Sequence, residues 1–263
     1  MSLSDYTFTV FTKAWKTPLP QLAQHIHSLG LAGIELPIRP GYPVTPDNMA
    51  TELPVAARIF ADHGLTIASV VGPLTEKTVA ACGAAKVPVL RHMPVVRYTE
   101  NYMEVEARWR REYEALVPHL SRYGVKLGVQ NHCDEYIAPA MGLRHLIEPF
   151  DPQHIGAIWD AAHGALNGED PELGLDIVWS HLCMVNLKNA YWKRTNGPDA
   201  PYAQWDHIWT SGRHGLAYWP RVAAVLKKRQ YRGVICFSAE YTEEKETDQL
   251  IAEDLAFAQS LLA

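Results

Sequence analysis

The stretch "YGVKLGVQNHCDEY" (Tyr123–Tyr136) decides how the chain is read. Val125 to Val129 form a mostly apolar run that ends abruptly in two amides and an imidazole, Gln130, Asn131 and His132. A buried strand looks like this when its last residues reach a polar pocket. Gly124, just before it, suits the stop of a helix, because glycine takes the left-handed C-cap conformation without a Cβ clash. The helix it stops is legible upstream. Tyr102, Val105, Trp109, Tyr113, Leu116 and Leu120 recur at three- and four-residue steps, which predicts one buried stripe. Arg108, Arg110, Arg111 and Glu112 then fall on a solvated face.

The same alternation of strand and helix runs outward in both directions. Strands are expected at 7–13, 32–38, 65–71, 87–95, 125–132, 154–160, 183–189 and 233–241. Helices are expected to begin near Pro18, Asp47, Glu76, Asn101, Met141, Pro171 and Tyr218, with another over 244–262. Eight strand–helix units over a chain of 263 residues predict a (β/α)8 TIM barrel. A doubly wound open sheet is the rival. It usually carries a Gly-rich phosphate turn after its first strand, and "TKAWKTPLP" (Thr12–Pro20) is not one. No Pro/Gly/Ser linker divides the chain, so residues 1–263 are expected to form a single barrel domain.

Bulk properties exclude some classes of function. The formal net charge is −5 and the longest basic cluster is Lys227–Lys228–Arg229, a poor footprint for a nucleic-acid backbone. Cys82, Cys133, Cys183 and Cys236 are scattered, with no C-x-x-C, as in a reduced cytoplasmic protein. Residues 1–20 carry Asp5, Lys13 and Lys16 and no apolar signal core, and no run approaches the roughly 20 apolar residues of a membrane helix.

In such a barrel the active site lies at the carboxyl ends of the strands, and residues two apart share a face. Glu35 is in phase with Gly33 and Pro37; Gln130 and His132 are in phase with Lys126 and Gly128. Asp160 ends the sixth strand, Asn186 and Lys188 align in the seventh, and Ser238 and Glu240 align with Val234 and Cys236 in the eighth. Five strands thus deliver polar groups inward. Buried carboxylates are costly unless paired or ligating a metal. The plain structural alternative is an ion-pair network such as Glu240 with Lys188. Taken singly, His92 and His163 read as satisfied histidines, Arg91 as partner to another strand's carboxylate, and Cys236 as barrel filling.

With these residues in place the chain resembles the xylose isomerase-like barrels of the sugar-phosphate isomerase/epimerase superfamily, which also includes endonuclease IV. "LGLAGIEL" (Leu29–Leu36) looks like the second-strand entry, with Glu35 at its acidic position, and "YGVKLGVQNH" like the fifth-strand motif that usually ends Glu-Asn-His. "WDAAH" (Trp159–His163) resembles Asp-x-x-His and "VNLKN" (Val185–Asn189) resembles His-x-Lys-Asp. "GLAYWPRVAAVLKKRQYRGVICFSAEY" (Gly215–Tyr241) resembles the closing segment. The resemblance puts the family's metal positions on Gln130, Asp160, Asn186 and Glu240, where full sets have Glu, Asp, His and Glu around Mn²⁺ or Mg²⁺. Asp160 and Glu240 match; Gln130 and Asn186 do not. Two carboxylates and two amides would hold a divalent ion weakly or not at all, with Mn²⁺ or Mg²⁺ favoured over Zn²⁺.

Gln130 has no titratable proton, so a relay between two carboxylates is not available. Glu240 is then the expected base, His132 a group titrating near neutral pH, and Lys188 the group that polarises a substrate oxygen. Glu35, Arg91 and His163 are expected to bind substrate. So are Trp192, Trp205 and Arg213 from the long connection "NAYWKRTNGPDAPYAQWDHIWTSGRHG" (Asn189–Gly215), whose rings suit a sugar face, a dimer contact or a local mini-core equally. The resemblance implies an isomerase or epimerase of a small sugar, keto-sugar or polyol. The alternatives are a lyase (a sugar or polyol dehydratase) or a metal-free carbohydrate-binding barrel. An abasic-site endonuclease is disfavoured by Asn186 and by the acidic chain. A carbohydrate is the expected partner, with no nucleic acid and no membrane; self-association is left open.

Overall fold

In the computed structural model, which describes residues 2–263, eight parallel strands close into a barrel. They are β1 (Tyr6–Phe11), β2 (Gly33–Pro37), β3 (Thr66–Val71), β4 (Val89–His92), β5 (Lys126–Gln130), β6 (Ile155–Asp160), β7 (Leu182–Leu187) and β10 (Gly233–Phe237). A hairpin of β8 (Asn189–Arg194) and β9 (Trp205–Thr210) stands apart from them. Around the barrel order β1-β10-β7-β6-β5-β4-β3-β2, each strand pairs with the barrel strands before and after it in the chain, and β10 closes on β1 through Tyr6↔Gly233 to Val10↔Phe237. The outer layer comprises α1 (Leu19–Ser28), α2 (Met49–Asp62), α3 (Glu76–Ala85), α4 (Tyr102–Tyr123), α5 (Ala140–Ile147), α6 (Ala161–Leu166), α7 (Pro171–Val178), α8 (Trp219–Lys228) and α9 (Thr247–Leu262). The (β/α)8 expectation therefore holds.

Two apolar layers hold the fold. The larger lies between sheet and helices, with Leu22, Ile26, Phe60, Leu120, Leu143, Trp159 and Trp219 among its buried members. The smaller fills the barrel itself: Phe11, Val71, Val89, Ile158, Met184 and Cys236. Cys236 is barrel filling, as read from its position. Gly128 is required there, because a Cβ on it would stand 2.6 Å from Ile158 Cδ1 and 3.0 Å from Val89 Cγ1. A larger residue on β5 would displace this filling and the polar layer above it.

Helix α4 starts at Asn101, whose side chain accepts from the amides of Met103 and Glu104, and ends at Gly124 with φ +65°. Its stripe is buried at Val105, Tyr113, Leu116 and Leu120, and half-buried at Trp109. Tyr102, in the first turn of the helix, is exposed. Arg108 and Arg110 are half-buried, and Arg110 pairs at 3.1 Å with the buried Glu106.

The segment read as a long connection is instead the antiparallel β8–β9 hairpin, in register from Asn189↔Thr210 to Arg194↔Trp205. A second difference is α6, a short helix directly after β6. A third concerns the last strand. It ends at Phe237, and Ala239 has φ +46°, so Glu240 is aimed by a left-handed turn and not by strand alternation.

Candidate active site

Asp160 is both the last residue of β6 and the N-cap of α6. Its Oδ1 accepts from the amides of Ala162 (3.0 Å) and His163 (3.3 Å), which turns the strand into a helix and brings His163 over the barrel mouth. Asn131 secures the same corner. Its Oδ1 accepts from the Asp160 amide at 2.7 Å, while its Nδ2 donates to the carbonyls of Asp160 and Ala138, each at 3.2 Å. The second amide of the opening motif is thus a structural clamp.

From Ser69 to Asp160 runs a buried polar chain. Ser69 Oγ donates to Glu35 Oε1 at 2.7 Å, and Arg91 Nη2 lies 2.9 Å from Glu35 Oε2. Arg91 Nη1 donates to Gln130 Oε1 at 2.5 Å, and Gln130 Nε2 donates to Asp160 Oδ2 at 2.9 Å. Burial pushes the Glu35 carboxyl up, with Arg91 and Ser69 opposing it. Burial also pushes Asp160 up, against the pull of Lys188 and the α6 amides. The gap between two acids is bridged by one amide that accepts from the cation and donates to the second acid. A carboxylate at 130 would offer Asp160 no proton donor.

Beside this chain stands a more open cluster. Lys188 Nζ donates to Glu240 Oε2, and Lys13 Nζ pairs with the same oxygen at 2.8 Å. Burial pushes Glu240 up, but Lys188 and Lys13 outweigh it and hold the carboxyl down at about 2. The Lys188 ammonium also sits 3.3 Å above the centroid of the Trp209 ring. His132 and His163 form the remaining wall, with ring centroids 3.8 Å apart. Burial, reinforced by Lys188, lowers both imidazoles, His132 to about 4 despite the Cys133 carbonyl opposing it. His132 therefore stays neutral at neutral pH, which corrects the expectation that it titrates there.

Arg91, Gln130, His132, His163, Lys188 and Glu240 line a cavity of about 140 Å³ above the barrel filling. A wider cavity of about 580 Å³ adjoins it and shares Lys13 and Glu240, with Trp15, Lys16 and Tyr42 on its wall. The structure thus brings six of the expected site residues to one cavity.

The others stand elsewhere. Glu35 is fully buried beneath Arg91 and positions it. Asn186 pairs in register with Asp160 and is buried, with no hydrogen-bond partner for either amide atom. Trp192 donates to the Leu166 carbonyl at 2.9 Å, and Trp205 lies 59% exposed at the far end of the hairpin. The Arg213 guanidinium stacks 3.9 Å from the Phe257 ring centroid. Trp209, and not Trp192 or Trp205, is the hairpin ring that meets Lys188 and His163, because the register Ala190↔Trp209 keeps it at the hairpin base. "WDHIWT" (Trp205–Thr210) signalled this by its period-two pattern. Lys13 was also missed, although Thr9, Phe11 and Lys13 share one phase of the first strand.

At three of the four expected metal positions side-chain oxygens are already engaged, and Asn186 alone keeps an unpartnered amide oxygen. Both Asp160 oxygens accept hydrogen bonds, Gln130 Oε1 faces a guanidinium and Glu240 Oε2 faces two ammonium groups. A divalent ion would compete with Arg91 for Gln130 and with Lys188 and Lys13 for Glu240, so this donor arrangement does not fit one. A separate set does gather ligand atoms: His132, Cys133 and His163 each bring one within 4.8 Å of the others, a group that could hold a metal ion.

A closed parallel barrel with its ionisable groups gathered at the carboxyl ends of the strands defines the class of a (β/α)8 enzyme scaffold. The chain belongs to the xylose isomerase-like TIM barrel family, which matches residues 23–261. No curated protein matches it in sequence. Among solved structures it is similar to D-psicose 3-epimerase from Clostridium cellulolyticum (TM-score 0.74, 12% identity, 97% of this chain and 99% of that one). It is equally similar to 3-keto-D-glucoside 4-epimerase from E. coli (0.74, 11%, 97% and 99%). A probable 3-DHS dehydratase from Bacillus anthracis also matches (0.71, 11%, 95% and 97%). At these identities the likeness is one of fold. Among the described residues no helix is long and apolar enough to cross a membrane.

Proposed function

We propose that this barrel, acting as a single domain, is an isomerase or epimerase of a small keto-sugar or related polyol. The observation that carries the reading is the pairing of the Glu240 carboxylate with the Lys188 ammonium at the rim of the 140 Å³ cavity. Glu240 removes a proton from the carbon next to the substrate carbonyl. The electron pair moves to the carbonyl oxygen, and Lys188 stabilises the resulting enediolate. Held down by two lysines, Glu240 is a weak base at rest. When Lys188 turns to the substrate oxygen, the carboxylate loses that partner and gains basicity as the electrophile engages. Arg91, on the cavity wall, offers hydrogen bonds to substrate hydroxyls. Return of the proton from Glu240 to the adjacent carbon completes an isomerisation, whereas epimerisation takes a solvent proton on the opposite face of the same carbon.

The relationship to the epimerases named above supports this choice of reaction. The test is incubation of the chain with a panel of ketohexoses and ketopentoses, free and phosphorylated, in D₂O. Exchange of one carbon-bound proton, followed by NMR and abolished in Glu240→Gln, is the expected result. Loss of a substrate hydroxyl in the same spectra would instead identify a dehydratase. No exchange on any member would overturn the reading.

A further inference from the structure

We infer that His132, Cys133 and His163 form a thiolate–imidazole site for a zinc-like divalent cation, beside the sugar cavity and separate from the four expected metal positions. The proposal rests on ligand type, spacing, support and access, and not on the sugar reading.

One sulfur and two imidazoles are the donor set that selects Zn²⁺ or Co²⁺ over Mg²⁺ and Mn²⁺. Cys133 Sγ lies 3.2 Å from His163 Nδ1. With a Zn–S distance near 2.3 Å and Zn–N near 2.0 Å, a tetrahedral site places such a pair about 3.5 Å apart. Asp134 Oδ2, 3.3 Å from the same sulfur, is the nearest further oxygen.

Hydrogen bonds to the Cys133 backbone define the tautomer of each imidazole, and with it the nitrogen that carries the lone pair. His132 Nδ1 donates to the Cys133 carbonyl at 2.8 Å, so Nε2 carries the lone pair. His163 Nδ1 accepts from the Cys133 amide at 3.2 Å, so its proton is on Nε2, on the side of Asp160 Oδ2 at 3.9 Å. The Cys133 carbonyl behind His132 is the kind of supporting contact metal-bound histidines require, and Asp160 stands on the Nε2 side of His163. An incoming ion displaces the Cys133 amide from His163 Nδ1, and the Cys133 thiol proton leaves to solvent. Lys188 is the nearest cation, and its charge is already met by Glu240.

Access comes from the side opposite the sugar. His132 and His163 line the inner cavity, whereas Cys133 and Asp134 line an outer groove of about 530 Å³ between Tyr98, Tyr136 and Trp192. An ion entering by this groove reaches the sulfur first.

The experiment uses the full chain, stripped with chelator and titrated anaerobically with Co²⁺. One equivalent should produce a thiolate-to-cobalt charge-transfer band, bleached by Zn²⁺. Cys133→Ser should abolish the band and weaken Zn²⁺ binding by at least about 10-fold. Cys183→Ser should keep the band. The absence of a band in the unsubstituted chain, its survival in Cys133→Ser or its loss in Cys183→Ser would each overturn the proposal. Should Cys133→Ser fail to fold, X-ray absorption on the zinc-loaded unsubstituted chain decides: one sulfur with two nitrogens supports the site, and an all-oxygen shell overturns it. None of these readouts depends on sugar turnover, so failure here is distinguishable from failure of the deuterium exchange.

Discussion

Arg91 reaches both Glu35 and Gln130, with its two terminal nitrogens 2.9 Å from the carboxylate and 2.5 Å from the amide oxygen. This fork explains why an amide serves at 130. Gln130 accepts from the guanidinium and passes a donor on to Asp160. One residue thereby connects a buried cation to a second buried acid that has no arginine of its own.

Replacing Gln130 by Glu exchanges that donor for an oxygen against Asp160 Oδ2. The two carboxyls must then share a proton, so the folded state binds one more proton than the unfolded chain does. That contribution is present at low pH and lost as pH rises. The variant should be less stable than the parent by about 1–3 kcal/mol at pH 8 and nearer to it at pH 5. Denaturant melts at the two pH values measure the difference.

Glu240 tests the lysine pairing. Its folded carboxyl is held at about 2, below its unfolded value, so the contribution to stability is full above pH 4.5 and is lost as pH falls toward 2. Lys188→Met removes the larger of the two charge contributions. Its stability curve should be flatter across this window, and deuterium exchange into substrate should fall by about 10²-fold or more.

Trp209 and Trp205 separate cavity from surface. Trp209→Leu removes the ring beneath the Lys188 ammonium and should raise KM about 10-fold, on the order of the 1–2 kcal/mol a desolvated cation–π contact contributes. Trp205→Ala alters an exposed ring at the hairpin tip and should leave KM within about 2-fold, since surface changes seldom exceed half a kcal/mol. Steady-state kinetics of both variants on one substrate compare them directly.

Asp254 provides a pH signature away from the site. It accepts from the Gly212 amide at 2.7 Å and the Tyr241 hydroxyl at 2.8 Å, and burial raises its carboxyl to about 6 despite both. The charged form is penalised in the folded state, so this group adds stability as pH falls from 6 toward 4, on the order of 3 kcal/mol in all. Asp254→Asn should remove that rise. Comparing melting temperatures of parent and variant between pH 4 and pH 7 isolates it.

The sequence by itself determined the barrel, the strand assignments and most of the residues that gather at the cavity. These follow from apolar periodicity and from polar residues at strand ends, which are local properties of the chain. Gln130, His132, Asp160, Lys188 and Glu240 were legible for that reason, and the ion pair of Glu240 with Lys188 could be written down beforehand. Tertiary structure alone decided what each contacts. Arg91 meets Glu35 across an intervening strand, because barrel closure and tilt bring β2 and β4 side chains together. Glu240 reaches the cavity through the left-handed Ala239, which no alternation rule contains. The hairpin hid in a stretch rich in Pro, Gly and Asn, and its register chose Trp209 over Trp192 and Trp205. The fate of the metal positions was likewise a matter of three dimensions. Whether two carboxylates and two amides can hold an ion depends on which cations stand beside them, and Lys13, Lys188 and Arg91 come from three different strand ends that only the closed barrel brings within reach of one another.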